Sequence, residues 1–318
     1  MATPKPSLNI QQISGTAALS LWSVAKQASV FTNPPVLGAL CHDVHWWLAS
    51  ESGRPAYLWP ICLDARGYVL TPEFGYYIGP IDLMPETTSS RRRLLLALLI
   101  HQQMIQVLSS NYRHLTWSTF PGGIDLRPLL WSSSPGRELT LRPRYTAVIN
   151  GLQSASDEDL LRRFGSDRRS LVRRAQRMNA IRMPAVPLAR IQDLYCRTLA
   201  IHGAEDVALR RLDEIENLYR IVLSGHGLLI ACGLADDARV QSVALLLFAK
   251  GRAYEVLAVS DEAWRKRGLN PFSRLQAFAA ARSVGCNEYD FNGANSPLLA
   301  LDKHSYGSEA QLYFDISF

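Results

Sequence analysis

Val243-Ala244-Leu245-Leu246-Leu247-Phe248-Ala249-Lys250-Gly251-Arg252-Ala253-Tyr254-Glu255-Val256-Leu257-Ala258-Val259 is the stretch on which the reading of the fold turns. Its two apolar runs, Val243 to Ala249 and Ala253 to Val259, are joined by Lys250-Gly251-Arg252, and a short basic-glycine turn between such runs is a hairpin signal. Downstream come the polar segment Ser260 to Arg267, then Gly268-Leu269-Asn270-Pro271. An amphipathic run from Phe272 to Ser283 follows, with apolar or small residues at Leu275, Phe278, Ala279 and Ala281. The order is therefore strand, strand, basic loop, helix. Glu288 to Phe291 reads as a further strand ending in Asn292-Gly293, with Lys303 and Tyr306-Gly307 beyond it.

The basic loop carries the first chemical signal. Arg265, Lys266, Arg267, Gly268 and Asn270 stand at a helix start, where unpaired N–H groups and the helix dipole favour an anion such as a phosphate. The competing reading is a solvated basic turn with Pro271 in the helix's first position.

Arg267-Gly268-Leu269-Asn270 between a strand and a helix resembles the pyrophosphate loop of the GCN5-related N-acetyltransferase (GNAT) fold, with Asn270 where that loop usually has Gly or Ala. The longer set, continuing with Gly285 to Gly293 and Asp302-Lys303-His304-Ser305-Tyr306-Gly307, resembles the Fem family of tandem-GNAT aminoacyltransferases. These use aminoacyl-tRNA to extend a peptidoglycan precursor. The match is densest over the last 80 or so residues and looser over the N-terminal third. It implies an α/β (α+β) fold of tandem GNAT-like domains, each a mixed, largely antiparallel central sheet flanked by helices. The expected division is 1–153 and 154–318, with the last strand able to pack back on the first domain.

The 318-residue length agrees with about two domains, and a net charge of +6 suits an anionic partner without saying which. The five cysteines are odd in number, scattered and without Cys-x-x-Cys spacing, which argues against a disulfide framework or zinc ribbon. Cys41-His42 and His45 find no further ligand at matching spacing, so no metal is assigned. The most apolar run, Leu94 to Ile100, is far short of a membrane span, and with no apolar signal core at the N-terminus the expected location is the cytoplasm.

In chain order, Leu8 to Ala28 contains a helix. Strands are expected at Val44–Ala49, Ala56–Leu63 and Tyr68–Thr71, then a helix over Ser89–Leu108. Further strands are expected at Leu115–Thr119, Leu126–Trp131 and Tyr145–Ile149, with a turn at Pro135-Gly136. Ser156-Asp157-Glu158-Asp159 looks like an N-cap with acidic residues in the first turn. From Leu160 to Arg182 one helix accumulates arginines, among them Arg168, Arg169, Arg173, Arg174 and Arg177, a footprint for a polyanion or else a solvated face. Helices at Leu188–Ile201 and Ala208–Leu223 precede a strand at Gly227–Leu234.

Gly-x-Ser-x-Gly is absent, which favours direct attack of an amine on the acyl donor over a covalent enzyme intermediate. Lys303 matches the lysine of the Fem-type Lys-x-x-(Phe/Tyr)-Gly motif and is the first choice for an electrostatic role. It is read as a mobile side chain whose loss spares folding, with an ordinary surface lysine as its rival. Asp290 and Asn292 complete the catalytic set, against turn capping. Tyr254, His202 and Tyr306 are placed on the substrate side, with packing the rival for Tyr254. The expected chemistry is amide formation with aminoacyl-tRNA as co-substrate, a small-molecule or peptide amine as acceptor and no required cofactor. An acyl-CoA donor is the alternative, and a non-catalytic polyanion-binding protein the third reading.

Overall fold

The computed structural model describes residues 7–123, 125–131, 139–201, 203–237 and 239–317. His202 and the Pro135-Gly136 turn lie outside the described residues. The chain divides into two compact units, one formed by Met1–Arg144 with Leu312–Phe318 and the other by Tyr145–Gln311.

In the first unit β1 (Leu8–Ile13), β2 (Asp43–Glu51), β3 (Arg54–Leu63) and β4 (Ile81–Asp82) form an antiparallel sheet in that order. Around it lie α1 (Gly15–Val24), α2 (Pro34–Leu40) and α3 (Ser90–Asn111). Ser89 caps α3 by accepting from the Arg92 N–H, and Leu96, Ile100, Met104 and Leu108 repeat at helical spacing into a core shared with Tyr57, Trp59 and Ile61. Tyr68–Thr71 contributes an isolated bridge, Leu63 with Val69, in place of the expected strand. Arg127–Trp131 is a helix (α4), correcting the expected strand: Pro128 sits in its first turn, where a missing N–H costs nothing. β5 (Thr116–Ser118) pairs with the end of β12 (Glu309–Ser317), Asp315 opposite Ser118. Tyr313 and Ile316 of β12 are buried, and Leu312 faces outward.

The second unit is built on a mixed sheet in which β6 (Thr140–Asn150), β11 (Glu288–Asp290), β10 (Arg252–Ser260), β9 (Ser242–Ala249), β8 (Gly227–Leu234) and β7 (Ala180–Met183) lie side by side. Every pair is antiparallel except β10 with β11. The single arginine-rich helix expected over Leu160–Arg182 is two, α5 (Asp157–Arg163) and α6 (Ser166–Arg177), followed by β7. The break falls at Phe164-Gly165 because Phe164 turns into the core against Phe278 and Tyr306. Ser156 and Asp159 form a reciprocal capping box at the start of α5. α7 (Leu188–Ala200), α8 (Glu205–Arg210), α9 (Leu212–Ile221) and the short α10 (Glu262–Arg265) precede α11 (Leu269–Ser283) and α12 (Pro297–His304). No helix among the described residues is long and apolar enough to cross a membrane.

Candidate active site

The β9–β10 hairpin turns on Lys250 (φ 52°) and Gly251 (φ 77°), the two positive φ values of a type I′ turn, so Arg252 belongs to the strand. It is 6% exposed, with Nε 2.5 Å from Glu288 Oε2 and Nη1 3.4 Å from Asp290 Oδ2. β10 pairs with β11 only over Arg252–Tyr254 against Glu288–Asp290. Beyond Tyr254 the two part: β10 shifts register against β9 at Glu255 and runs on to Ser260, whereas β11 ends at Asp290.

The three residues assigned to catalysis meet at this parting. Asp290 is fully buried and accepts from the Thr146 hydroxyl and the Asn292 N–H. Asn292, in the left-handed region at φ 50°, reaches across to donate Nδ2 to the Glu255 carbonyl oxygen at 3.0 Å. Its Oδ1 is buried and meets no donor among the described residues. Lys303 projects from α12 and donates Nζ to the carbonyl oxygens of Phe291 (2.9 Å), Asn292 and Gly293 (2.6 Å). At 8% exposure it is neither mobile nor a surface lysine, which corrects the expected freedom of its side chain. Burial pushes its ammonium down to about 8, against the pull of Glu255, Asp290 and Asp302.

Around the parting runs a chain of buried and half-buried charge that the sequence reading missed. Arg274 of α11 donates to both Glu255 carboxylate oxygens (3.3 and 3.2 Å) and to Asp302 at 2.6 Å. Arg168 of α6 takes the other Asp302 oxygen at 2.6 Å and also donates to Ser305 Oγ. Tyr289 donates its hydroxyl to Glu255 at 2.8 Å. The Arg274 guanidinium lies 4.6 Å from the Tyr306 ring centroid. Burial alone would lower the pKa of Arg274, but Glu255, Tyr306 and Asp302 outweigh it, and the group stands well above its ordinary value. The signal was present: Glu255 interrupts an apolar strand, and Arg274 adjoins Leu275 on the buried side of α11. A charge where the period calls for an apolar residue marks a buried partner.

Gly268 has φ 96°, and a Cβ there would stand 2.0 Å from the Leu171 carbonyl oxygen, so the α6 backbone lies directly on the loop. Gly307 has the same double requirement against Arg163. Asn270 turns inward, donating to Ser260 Oγ at 3.4 Å and accepting from the Tyr306 hydroxyl at 3.2 Å. Arg265 is half-buried and reaches Thr198, while Lys266 and Arg267 are exposed, the latter 4.6 Å over the Trp264 ring. Tyr254 and Tyr306 are both fully buried. Of the five assigned helix arginines, Arg168 is held by Asp302, and Arg169 donates to the carbonyls of Arg162 and Phe164, closing the end of α5. Arg173, Arg174 and Arg177 are exposed and make no ion pair among the described residues.

A family model described as "Acetyltransferase (GNAT) domain" matches residues 162–298. The chain superposes on FemX (14% identity, 96% of each chain, TM-score 0.56) and on L-PGS from Bacillus licheniformis (11% identity, 96% of this chain and 92% of that chain, TM-score 0.56). It also superposes on a tandem GNAT protein from the clavulanic acid biosynthesis pathway (10% identity, 98% of each chain, TM-score 0.51). A search of the curated proteins finds no match. The fold is that of a tandem GNAT protein, and the match to the acetyltransferase (GNAT) domain model falls within its second unit. Residues 162–298 match a GNAT domain, in keeping with the GNAT resemblance read from the C-terminal motifs, and the likeness to FemX is one of fold.

Proposed function

We propose that this acyltransferase joins an activated acyl group to an acceptor amine by direct attack, with aminoacyl-tRNA as donor. The observation that carries the transfer step is the buried Asn292 Oδ1, an acceptor that meets no donor among the described residues at the point where β10 and β11 separate. An unsatisfied buried carbonyl is costly, and an attacking amine supplies the N–H it lacks while its lone pair is aimed at the acyl carbon. In that reaction the amine nitrogen bonds to the acyl carbon, the ester C–O bond to the tRNA ribose breaks, and the surplus amine proton leaves with the ribose oxygen or to solvent. Lys303 polarises the Phe291–Gly293 carbonyls and keeps a positive charge beside the site.

The choice of donor rests on the exposed cations. The Leu171 backbone of α6 lies on Gly268, so the helix that carries the exposed Arg173, Arg174 and Arg177 touches the loop that carries the exposed Lys266 and Arg267. Five charges across two touching elements suit several successive phosphates better than one pyrophosphate. Asn270 supports the same choice: its side chain is engaged with Ser260 and Tyr306, where acyl-CoA binding calls for a small residue that lets the pyrophosphate approach the backbone.

Labelled aminoacyl-tRNAs and acyl-CoAs, each supplied with a panel of amines, test the reading. Label should pass to an amine from tRNA and not from CoA. Replacing Arg173, Arg174 and Arg177 by glutamine should reduce the slope of log affinity against log salt by roughly 0.7 to 0.9 for each phosphate that is no longer neutralised. Transfer from acyl-CoA alone, or an unchanged salt slope, would overturn the donor assignment.

A further inference from the structure

The first unit, to which the transfer reaction assigns no chemistry, contains a cavity of about 430 Å³, within the range of small-ligand sites. Its lining holds three cations, Lys26, Arg93 and Arg127, and three anions, Asp82, Glu86 and Asp125. The six differ in how firmly they are held. Asp82 is fixed in the wall: it accepts from Arg93 and from the Met84 N–H at 2.8 Å, and the buried Tyr57 hydroxyl meets it. Arg93 is equally committed, its second nitrogen donating to the carbonyls of Met84 and Pro85. These two build the site and are not available to exchange partners.

The other four are. Lys26 and Glu86 form a pair of 2.8 Å with both side chains 74% exposed, and Arg127 and Asp125 a pair of 2.6 Å at 58% and 41%. Exposed pairs of this kind contribute little to stability, so a ligand that offers matching charges can enter them at small cost. A ligand ammonium would take Glu86 and Asp125, and a ligand carboxylate Lys26 and Arg127. The lining also includes Val24, Leu83, Met84, Leu94 and Ala97, which suits an apolar body. Three cations and three anions in the lining leave no electrostatic preference for a net anion or a net cation.

We propose that this cavity is a binding site for a small zwitterion with an apolar body, an amino acid or short peptide carrying both a free ammonium and a free carboxylate. The juxtaposition that carries it is two exposed ion pairs lining one cavity together with apolar side chains and the fixed Tyr57, Asp82 and Arg93.

Calorimetric titration of the full-length protein with leucyl-leucine, its N-acetyl derivative and its C-terminal amide tests the proposal by direct binding, independent of any transfer activity. Leucyl-leucine should bind saturably, one per chain, and blocking either end should weaken binding at least tenfold. Glu86→Gln with Asp125→Asn should weaken leucyl-leucine by a similar factor while leaving the N-acetyl peptide unchanged, whereas Lys26→Met with Arg127→Met should do the same for the amide. Ser90 lines the cavity from an exposed position in the first turn of α3, and Ser90→Trp should block it without altering the melting temperature. Absence of saturable binding at millimolar leucyl-leucine, equal binding of the end-blocked peptides, or undiminished binding by the Ser90→Trp protein would each overturn it.

Discussion

The two units bury polar groups in opposite ways. In the first, the most deeply buried basic side chain is His101, 1% exposed and packed edge-on to Tyr57 and Trp59 with ring centroids 4.9 and 5.0 Å away. Its Nδ1 donates to the Ala97 carbonyl, its Nε2 meets no partner among the described residues, and burial pushes it down to about 4, so it sits in the core as a neutral ring. In the second unit the interior holds full charges, with Arg252, Arg274 and Lys303 beside Glu255 and Asp290. A neutral ring adds little beyond its packing. A charged set is costly to desolvate and is stable only when each member keeps its partners. The unit that bears the GNAT domain is therefore the one whose core is a connected network, and it should be the more fragile to single substitutions.

The most disruptive test of that contrast is Arg274→Met, which leaves Glu255 buried without its cation and removes one of two partners of Asp302. Such a deletion should cost about 3 to 5 kcal/mol in urea denaturation. Adding Glu255→Gln to Arg274→Met should restore a substantial part, because the uncompensated charge is then gone.

Lys303→Met should follow. Three main-chain carbonyls lose their donor, and at about 1 to 3 kcal/mol for an unsatisfied buried group the loss should be roughly 3 kcal/mol or more, together with most of the transfer activity. The pH dependence separates the two contributions. With the folded ammonium at about 8 and the unfolded one near 10.4, the unfolded chain binds more protons between those values. This group's effect on stability therefore rises with pH across that window, while a rate that needs the charged form should fall as pH rises through about 8. A rate flat from pH 7 to 9.5 would detach Lys303 from the transfer step.

The first unit gives the smallest effect at neutral pH. His101→Phe should change stability by only about 1 kcal/mol there, an aromatic exchange at a site whose polar edge is already unsatisfied. Below pH 6.5 the sign becomes visible. The folded pKa is depressed, so stability present above 6.5 is lost as pH falls toward 4, by up to roughly 3 kcal/mol, and the phenylalanine variant should lose that sensitivity. Equal acid sensitivity in the two proteins would mean that His101 is not buried neutral.

Local chemistry was sufficient for the elements whose signals are local. The β9–β10 hairpin, the β8 strand over Gly227–Leu234, the Ser156 capping box and the helix after Gly268 all follow from apolar period, turn residues and caps. So did the neighbourhood of the site, because Asp290, Asn292 and Lys303 sit in short motifs between elements. What tertiary structure decided is which charges face inward. Arg168 and Arg173 are alike in sequence, yet Arg168 is held by Asp302, remote along the chain, and Arg173 is left in solvent. Leu126–Trp131 became a helix although its apolar residues suit a strand, since Pro128 is compatible with a helix's first turn and short apolar runs do not specify their period. Pairing energies between residues 28 to 134 positions apart, as in Arg274 with Asp302 and Arg168 with Asp302, depend on distance in space, and distance in space is not written in any local window of the chain.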